Sequence, residues 1–323
     1  MNKLLVICGP TATGKTSLAF GLAEKCDGEL VSADSRQVYK GMDIGTGKDL
    51  PVNAKFKYQN TKLGGYYEIG EERVWGYDLV GPTESFNVAD YIKASRAIIE
   101  NIWERGKLPI LVGGTGLYIK GVVDGIGTSG IGKDDKLRRK LSGKSPKELY
   151  DLLTRFDLVR ARSLNESDRN NPRRLIRAIE IAKSKSKKKD RNMAVRIKAD
   201  TLFIGLKASK ETIDKRIVKR VKERLEEGFL DEVKSLEKEG VDWSNPSMSA
   251  TGYRHIEGYY KGEETKSEFM RNWRKSEVQY AKRQMTWFRK EKRIHWFDIS
   301  NRDYRKTIEK YVQEWYFKSK HVS

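Results

Sequence analysis

Two cysteines, Cys8 and Cys26, are all that the 323-residue chain contains. They are too few for a disulfide framework or a zinc knuckle. Cys8 closes an apolar run and is expected to be simply buried. Long apolar runs are also missing: no stretch approaches the roughly 18 apolar residues that span a bilayer. The amino-terminal MNKLLVICGP has too short an apolar run for a secretory leader and leads straight into a loop motif, so a cytoplasmic location is expected. There is no internal repeat and no acidic excess.

What is abundant is positive charge, and it is unevenly placed. The formal net charge is +20. Residues 1–132 carry 15 basic and 15 acidic side chains, residues 133–198 carry 22 and 9, and residues 199–323 carry 28 and 21. A neutral segment followed by a strongly basic one suggests a polyanionic partner, most simply nucleic acid. A lysine-rich solvated surface is the plainer alternative.

The hydrophobic pattern alternates between strand and helix. Lys3–Cys8 (KLLVIC) reads as a buried parallel strand, and Lys15–Lys25 has helical spacing. Glu29–Ala33 and Val74–Val80 are expected as the second and third strands, Val88–Trp103 as an amphipathic helix, and Leu108–Val112 as the fourth strand. This order predicts an α/β fold with a parallel sheet and helices on both faces. Near Gly125 the pattern changes. GIGTSGIGKDD reads as a joint, followed by charged helices at Lys136–Leu141, Pro146–Phe156 and Arg173–Ala182 and by a basic loop, KSKSKKKDRN. Ala199–Leu206 reads as a strand returning to the sheet. Residues 127–198 are therefore expected to be a basic helical insertion, with 1–126 and 199–323 forming the core. Helices at Lys210–Glu227, Ser267–Lys290 and Tyr304–Phe317 and a strand at Arg293–Phe297 complete the tail.

Five stretches carry chemistry. GPTATGKT, Gly9 to Thr16, fits the phosphate-binding pattern G-x-x-x-x-G-K-[ST] between a strand and a helix. Gly9 and Gly14 let the backbone curl so that its N–H groups converge on phosphate oxygens, Lys15 brings a cation, and the Thr16 hydroxyl suits Mg²⁺. Asp34 stands at the end of the second strand, where open α/β sheets present groups to a ligand. It is either a catalytic carboxylate or a helix N-cap. LVGGTGLY, Leu111–Tyr118, is another anion-friendly turn. The corresponding strand of an ordinary NTPase often ends in a Mg²⁺-binding aspartate, which Gly113–Gly114 replaces. Arg216 and Arg220 are one helical turn apart and share a face, suited to a diphosphate or merely to solvent. QYAKRQMTWFRK, Gln279–Lys290, interleaves basic and aromatic residues. It suits RNA or an amphipathic helix that buries its aromatics.

Taken together these stretches resemble the tRNA dimethylallyltransferase (tRNA isopentenyltransferase) family. GPTATGKT, SADSRQVYKGMDIGTGK, FNVADY, VGGTGLYIKGVVDGI, NNPRRLIRAIEI, ATGYR and YAKRQMTWFR occur in the family's order across nearly the whole chain. The resemblance implies a P-loop NTPase-like (kinase-like) core with a helical insertion that grips the anticodon stem. It implies transfer of a dimethylallyl group from dimethylallyl diphosphate to N6 of the adenine beside the anticodon of tRNA, with Mg²⁺, by a monomer. It also implies roles residue by residue. Asp34 is the general base, and Thr115 lies near the reacting carbon. Gly9, Pro10, Thr11, Ala12, Thr13, Gly14, Lys15, Thr16 and Arg216 hold the diphosphate. Asp34, Ser35, Arg36, Gln37 and Thr115 meet the target base. Arg138, Arg173, Arg174, Tyr253, Arg254, Lys282, Arg283, Gln284, Trp287 and Arg289 face tRNA. The chain departs from the family pattern at Val74–Leu79, where a His-His pair is missing and only Asp78 carries over. It departs again over Lys55–Arg73, and at Arg224, where the family has methionine. No zinc-finger extension of the kind some members carry is expected.

Three other readings stay open on sequence alone. Prenyl transfer to free AMP, ADP or ATP needs no basic insertion. A P-loop kinase or RNA-dependent ATPase would use Lys15 and Thr16 on ATP. An RNA-binding module would leave the loop idle.

Overall fold

A computed structural model describes residues 1–51, 53–184 and 195–318. The chain divides into two compact units, Met1–Val123 with Ile197–Ser323, and Asp124–Arg196.

The first unit is built on β1 (Lys3–Cys8), β2 (Gly28–Ser32), β3 (Lys55–Asn60), β4 (Gly64–Ile69), β5 (Glu72–Trp75), β6 (Leu108–Gly113), β7 (Asp200–Lys207) and β8 (Ile294–Asp298). They form one eight-stranded sheet in the order β3-β4-β5-β2-β6-β1-β7-β8. The run from β5 to β8 is parallel, and β3 and β4 add antiparallel at one edge. The parallel strands are apolar on both faces, as strands covered on both sides must be. Successive residues of β1 feed alternate faces: Leu4, Val6 and Cys8 join one hydrophobic cluster, Leu5 and Ile7 the other.

Helices α1 (Lys15–Cys26) and α13 (Tyr304–Phe317) supply buried residues to the second cluster. The first cluster takes them from α2 (Val88–Glu104), α3 (Gly116–Asp124), α9 (Lys210–Glu226), α10 (Phe229–Lys238), α11 (Tyr253–Tyr260) and α12 (Lys266–Phe288). Capping boxes fix the starts of α2 (Asn87 with Asp90) and α12 (Thr265 with Glu268), each satisfying donors that a helix start otherwise leaves unpaired. The register sets Cys8 against Gly113 and Ser32 against Val112. The loops after β1, β2 and β6 therefore emerge side by side at the carboxyl edge of the sheet, where open α/β sheets bind ligands.

The third expected strand, Val74–Val80, is wrong in its bounds. Pairing ends at Trp75, and Val80 makes only an isolated bridge to Tyr39. The chain turns at Gly76 (φ 86°) and Asp78 (φ 54°), left-handed conformations that no strand tolerates. The β3–β4 hairpin was not expected. All of β3 is exposed, its polar–aromatic alternation (Lys55, Phe56, Lys57, Tyr58) runs for only four residues, and its lysines suit an unpaired edge.

The second unit contains α4 (Asp135–Leu141), α5 (Pro146–Phe156), α6 (Leu158–Ser163), α7 (Glu166–Arg169) and α8 (Pro172–Lys183). Its small core joins Leu149 and Leu153 of α5 to Leu175 and Ile179 of α8, pairs spaced four apart on one helix face. α6 and α7 are too short to show a period in the sequence. The basic run Lys185–Lys189 lies outside the described residues.

Candidate active site

The loop between β1 and α1 curls as its glycines predict. Gly9 has φ 138°, and a Cβ there would lie 2.4 Å from the carbonyl oxygen of Leu206. Backbone meets backbone, so no side chain fits. Gly14 (φ 82°) is the N-cap of α1, and Ala12 also adopts a left-handed conformation (φ 62°). The Thr13 hydroxyl donates to the Pro10 carbonyl (2.8 Å), and so does the Lys15 ammonium (2.7 Å). Lys15 is thus folded back over its own loop. Burial, and next the charge of Arg220, push its ammonium down to about 8. Cys8 is buried and its thiol is pushed up to about 12, chiefly by desolvation, so it stays protonated and inert.

A cavity of about 290 Å³ opens over this loop. Thr11, Lys15 and Thr16 line it from the first loop, Asp34 to Gln37 from the second, Gly113 and Gly114 from the third. No helix starts after Asp34, so the N-cap reading fails. Its Oδ1 instead accepts the N–H of Arg36 (2.8 Å), an Asx turn. That turn is held from the neighbouring loop. Thr115 does not itself line the cavity, but its hydroxyl accepts the Ser35 N–H (3.1 Å), and its own N–H donates to Ala33 O (3.1 Å). Gln37 accepts from the Ser32 hydroxyl (2.8 Å) and donates to Gly47 O (2.7 Å), while Arg36 donates to Pro246 O (2.9 Å). Gly113 and Gly114 have no room for side chains. A Cβ on the first would sit 2.2 Å from Ala33 O, and on the second 2.1 Å from Gln284 Nε2.

Much of the far wall is built from residues to which the sequence assigned no role of their own: Gly45, Thr46, Gly47, Tyr77, Ser249, Ala250, Thr251 and Glu277. The 45–47 turn is held by Glu232, whose carboxylate accepts the N–H groups of Asp43, Ile44 and Gly45 at 2.7, 2.7 and 2.9 Å. Lys48 secures its other end. Its fully buried ammonium donates to Tyr39 O (2.9 Å) and pairs with Asp43 and Asp78. Asp78, the one family residue left in the divergent Val74–Leu79 run, is therefore the counter-ion of a buried lysine. Tyr280 also lines the cavity. Burial raises its phenol well above the ordinary range, and its hydroxyl interacts with Thr115.

Several expected roles move. Tyr253 has no surface for RNA: it is fully buried, its ring packs on Phe229, and its hydroxyl bonds Glu232. Gln284 is buried too. Its Oε1 accepts the Thr11 N–H (2.8 Å) and its Nε2 donates to Gly114 O (3.0 Å), so it ties the phosphate loop to the β6 turn instead of facing solvent. Arg216 does not line this cavity; it donates to Ala12 O (3.2 Å) and lines an adjoining one with Ala12, Gly14 and Arg220. Arg220, one turn on, reaches the cavity, bonding Thr11 Oγ1 (3.2 Å) and Asp49 (3.0 Å). Arg254 and Arg283 are exposed and line the mouth, while Lys282, Trp287 and Arg289 are exposed without lining it. The aromatics of α12 divide, Phe288 inward and Trp287 outward against Gly116.

In the second unit Arg138 forms a forked pair with the buried carboxylate of Glu180 (2.6 and 2.9 Å), which also accepts from Arg177 (3.1 Å). Arg173 is exposed, and Arg174 pairs with Asp168.

A polar cavity at the carboxyl edge of a parallel sheet, floored by the loop Gly9–Thr16 and walled by arginines, has the charge and the donors to hold a diphosphate next to a carboxylate. Comparisons with known proteins agree with that chemistry. The sequence profile described as IPP transferase matches residues 37–291, and the one described as isopentenyl transferase matches residues 2–61. A tRNA dimethylallyltransferase from Halothermothrix orenii is 39% identical over 320 residues, covering 94% of this chain and 90% of that protein. The structure of the full-length tRNA isopentenylpyrophosphate transferase from Bacillus halodurans superposes with a TM-score of 0.70 at 33% identity, over 99% of this chain and 100% of that one. A eukaryotic dimethylallyltransferase solved acting on tRNA superposes with a TM-score of 0.79 at 26% identity, over 99% of this chain and 80% of that one. With a profile covering well over half its length and relatives this similar along nearly all of it, the chain belongs to the IPP transferase family of tRNA dimethylallyltransferases.

Proposed function

We propose that the chain transfers a dimethylallyl group from dimethylallyl diphosphate to N6 of the adenine beside the anticodon of tRNA, releasing diphosphate. The carrying observation is that Asp34, Lys15 and Thr16 line one cavity. One oxygen of Asp34 is occupied by the Arg36 N–H, and the carboxylate stands where it can accept a proton from an incoming amine. The base leaves the anticodon loop to enter the cavity, at a cost of a few kcal/mol that is smallest in a single-stranded loop. Negative charge gathers on the departing diphosphate. The amides of Gly9–Thr16, Lys15 and Arg220 are the groups that stabilise it. Arg254, Arg283 and Lys282 meet RNA phosphates around the mouth.

The donor set fits a hard cation. The Thr16 hydroxyl and the Asp34 carboxylate line the same cavity. That suits Mg²⁺, which takes few protein ligands and relies on substrate phosphates and water. Thr16 would hold it, and it would neutralise charge on the leaving diphosphate. No helix among the described residues is long and apolar enough to cross a membrane, and we place the enzyme in the cytoplasm, acting as a monomer.

Labelled dimethylallyl diphosphate, Mg²⁺ and unmodified tRNA test the reading, with AMP and ATP offered in parallel. Label is expected in tRNA and not in the free nucleotides. Label in AMP alone, or phosphate release from ATP stimulated by RNA, would overturn it.

A further inference from the structure

Arg224 is an unusual wall residue. It lies one turn beyond Arg220 on α9, it is almost wholly buried, and it lines the same cavity as Lys15. The two guanidiniums meet over Gly47. A Cβ on that glycine would lie 2.0 Å from Arg224 Nη2 and 2.3 Å from Arg220 Nη2, so the two nitrogens cannot stand further apart than those distances together. Gly47 has φ 66°, and its bare Cα is what admits both groups.

Two like charges at this spacing are costly without anions between or beside them. Arg220 has Asp49 at 3.0 Å. Arg224 is less well served. Its Nη1 donates to Gly45 O (3.1 Å) and lies 3.4 Å from Glu277, and its buried Nε has no hydrogen-bond partner. Glu277 is shared besides, accepting from the Thr251 hydroxyl (2.6 Å) and from Trp273 Nε1 (3.3 Å). Lys15, Arg220 and Arg224 thus bring three positive charges to the lining of one cavity, and the last is only partly neutralised. An anion with oxygens on two phosphorus atoms answers that excess, because adjacent guanidinium forks can each take one phosphoryl group.

We propose that Arg224 is a second guanidinium for the diphosphate of the prenyl donor, acting beside Arg220, with Glu277 as the counter-ion that holds it in the wall until the donor arrives. The identity of the donor rests on the function proposed above; the anion-binding role does not.

The test is calorimetric binding of inorganic diphosphate to the full chain, paired with transfer kinetics. Arg224→Met keeps an unbranched side chain and removes the charge. It is expected to weaken diphosphate binding roughly tenfold and to raise KM for dimethylallyl diphosphate by a similar factor, with KM for tRNA unchanged. Lys222→Met, an exposed charge on the same helix, is expected to change neither. Glu277→Gln is expected to tighten diphosphate binding, because it removes a competitor for Arg224. If Arg224→Met unfolds, Arg224→Lys replaces it, with a loss of about threefold. Unchanged diphosphate affinity in a folded Arg224 variant overturns the proposal. So does equal weakening by Glu277→Gln, which marks the pair as structural support. Wild-type chain that binds diphosphate yet transfers no dimethylallyl group overturns the donor and leaves the role of Arg224 standing.

Discussion

Asp34 and Lys15 illustrate how single residues acquire their chemistry from their neighbours. An aspartate after a strand is ambiguous in isolation. It becomes a candidate base because an Asx turn holds one oxygen and Thr115 fixes the next residue's amide. Asp34→Asn keeps that shape and removes the proton acceptor. It is expected to lower kcat by roughly 10²–10⁴-fold and leave tRNA affinity within twofold, read by single-turnover transfer and filter binding. Lys15 carries a pH signature. Its ammonium is held at about 8 against an ordinary 10.5, chiefly by burial, with Arg220 adding to the drop and Asp34, Cys8 and Asp49 opposing it. Between those pH values the unfolded chain holds a proton that the folded, ligand-free chain does not, so this group's contribution to stability rises with pH across the window. Diphosphate reverses the balance by favouring the charged lysine. Binding near pH 9 is therefore expected to take up a proton, seen as a dependence of the binding heat on buffer ionisation enthalpy. No such dependence would place the lysine away from the anion.

At the scale of elements, α12 does more than its composition suggests. The stretch QYAKRQMTWFRK reads as an RNA-facing helix, yet Gln284 within it points inward and joins two loops that lie far apart in sequence. Removing that amide leaves the Thr11 N–H and the Gly114 carbonyl unpaired in a buried place, a loss of roughly 1–3 kcal/mol for each group. Gln284→Ala is expected to lower Tm by several degrees and to raise KM for the donor more than KM for tRNA. Gln284→Glu keeps the acceptor and loses the donor, and should fall between. Equal effects on both substrates would return Gln284 to a simple RNA contact. The same inward logic explains Tyr253, which the resemblance assigns to tRNA. Its ring fills the space beside Gly45 and its hydroxyl bonds Glu232, the carboxylate that holds the 43–45 turn.

Across the whole molecule, charge and chemistry are separated along the chain. The catalytic half is neutral through residue 132, and the following 66 residues carry 22 basic side chains. The described part of that second unit already commits some of them internally: Arg138 and Arg177 neutralise the buried Glu180. The charge left for RNA is smaller than the count suggests, and its densest cluster is the four lysines of the run Lys185–Lys189. Replacing those lysines with serine is expected to weaken tRNA binding. It should also flatten the plot of log affinity against log salt by roughly 0.7–0.9 for each RNA phosphate that is no longer neutralised, with transfer at saturating tRNA unchanged. An unaltered slope would assign the polyanion grip to other residues.

The sequence alone determined the α/β alternation, the glycine-bearing turn between β1 and α1, the position of Asp34 and the excess of basic residues over 133–198. Each of these is written locally: a hydrophobic period, a glycine spacing, or a count of charges. The family likeness joined them into a reaction. What only the tertiary structure decided is which residues share a cavity and which face the core. Gln284 and Tyr253 look like surface groups in one dimension, and Glu232 and Glu277 look like nothing in particular. Their roles come from meetings between segments more than a hundred residues apart, such as Glu232 on the 43–45 turn, Gln284 on Thr11 and Gly114, and Arg224 on Gly45. A residue type fixes what a side chain can donate or accept, and only the packed sheet and helices decide what stands within reach of it.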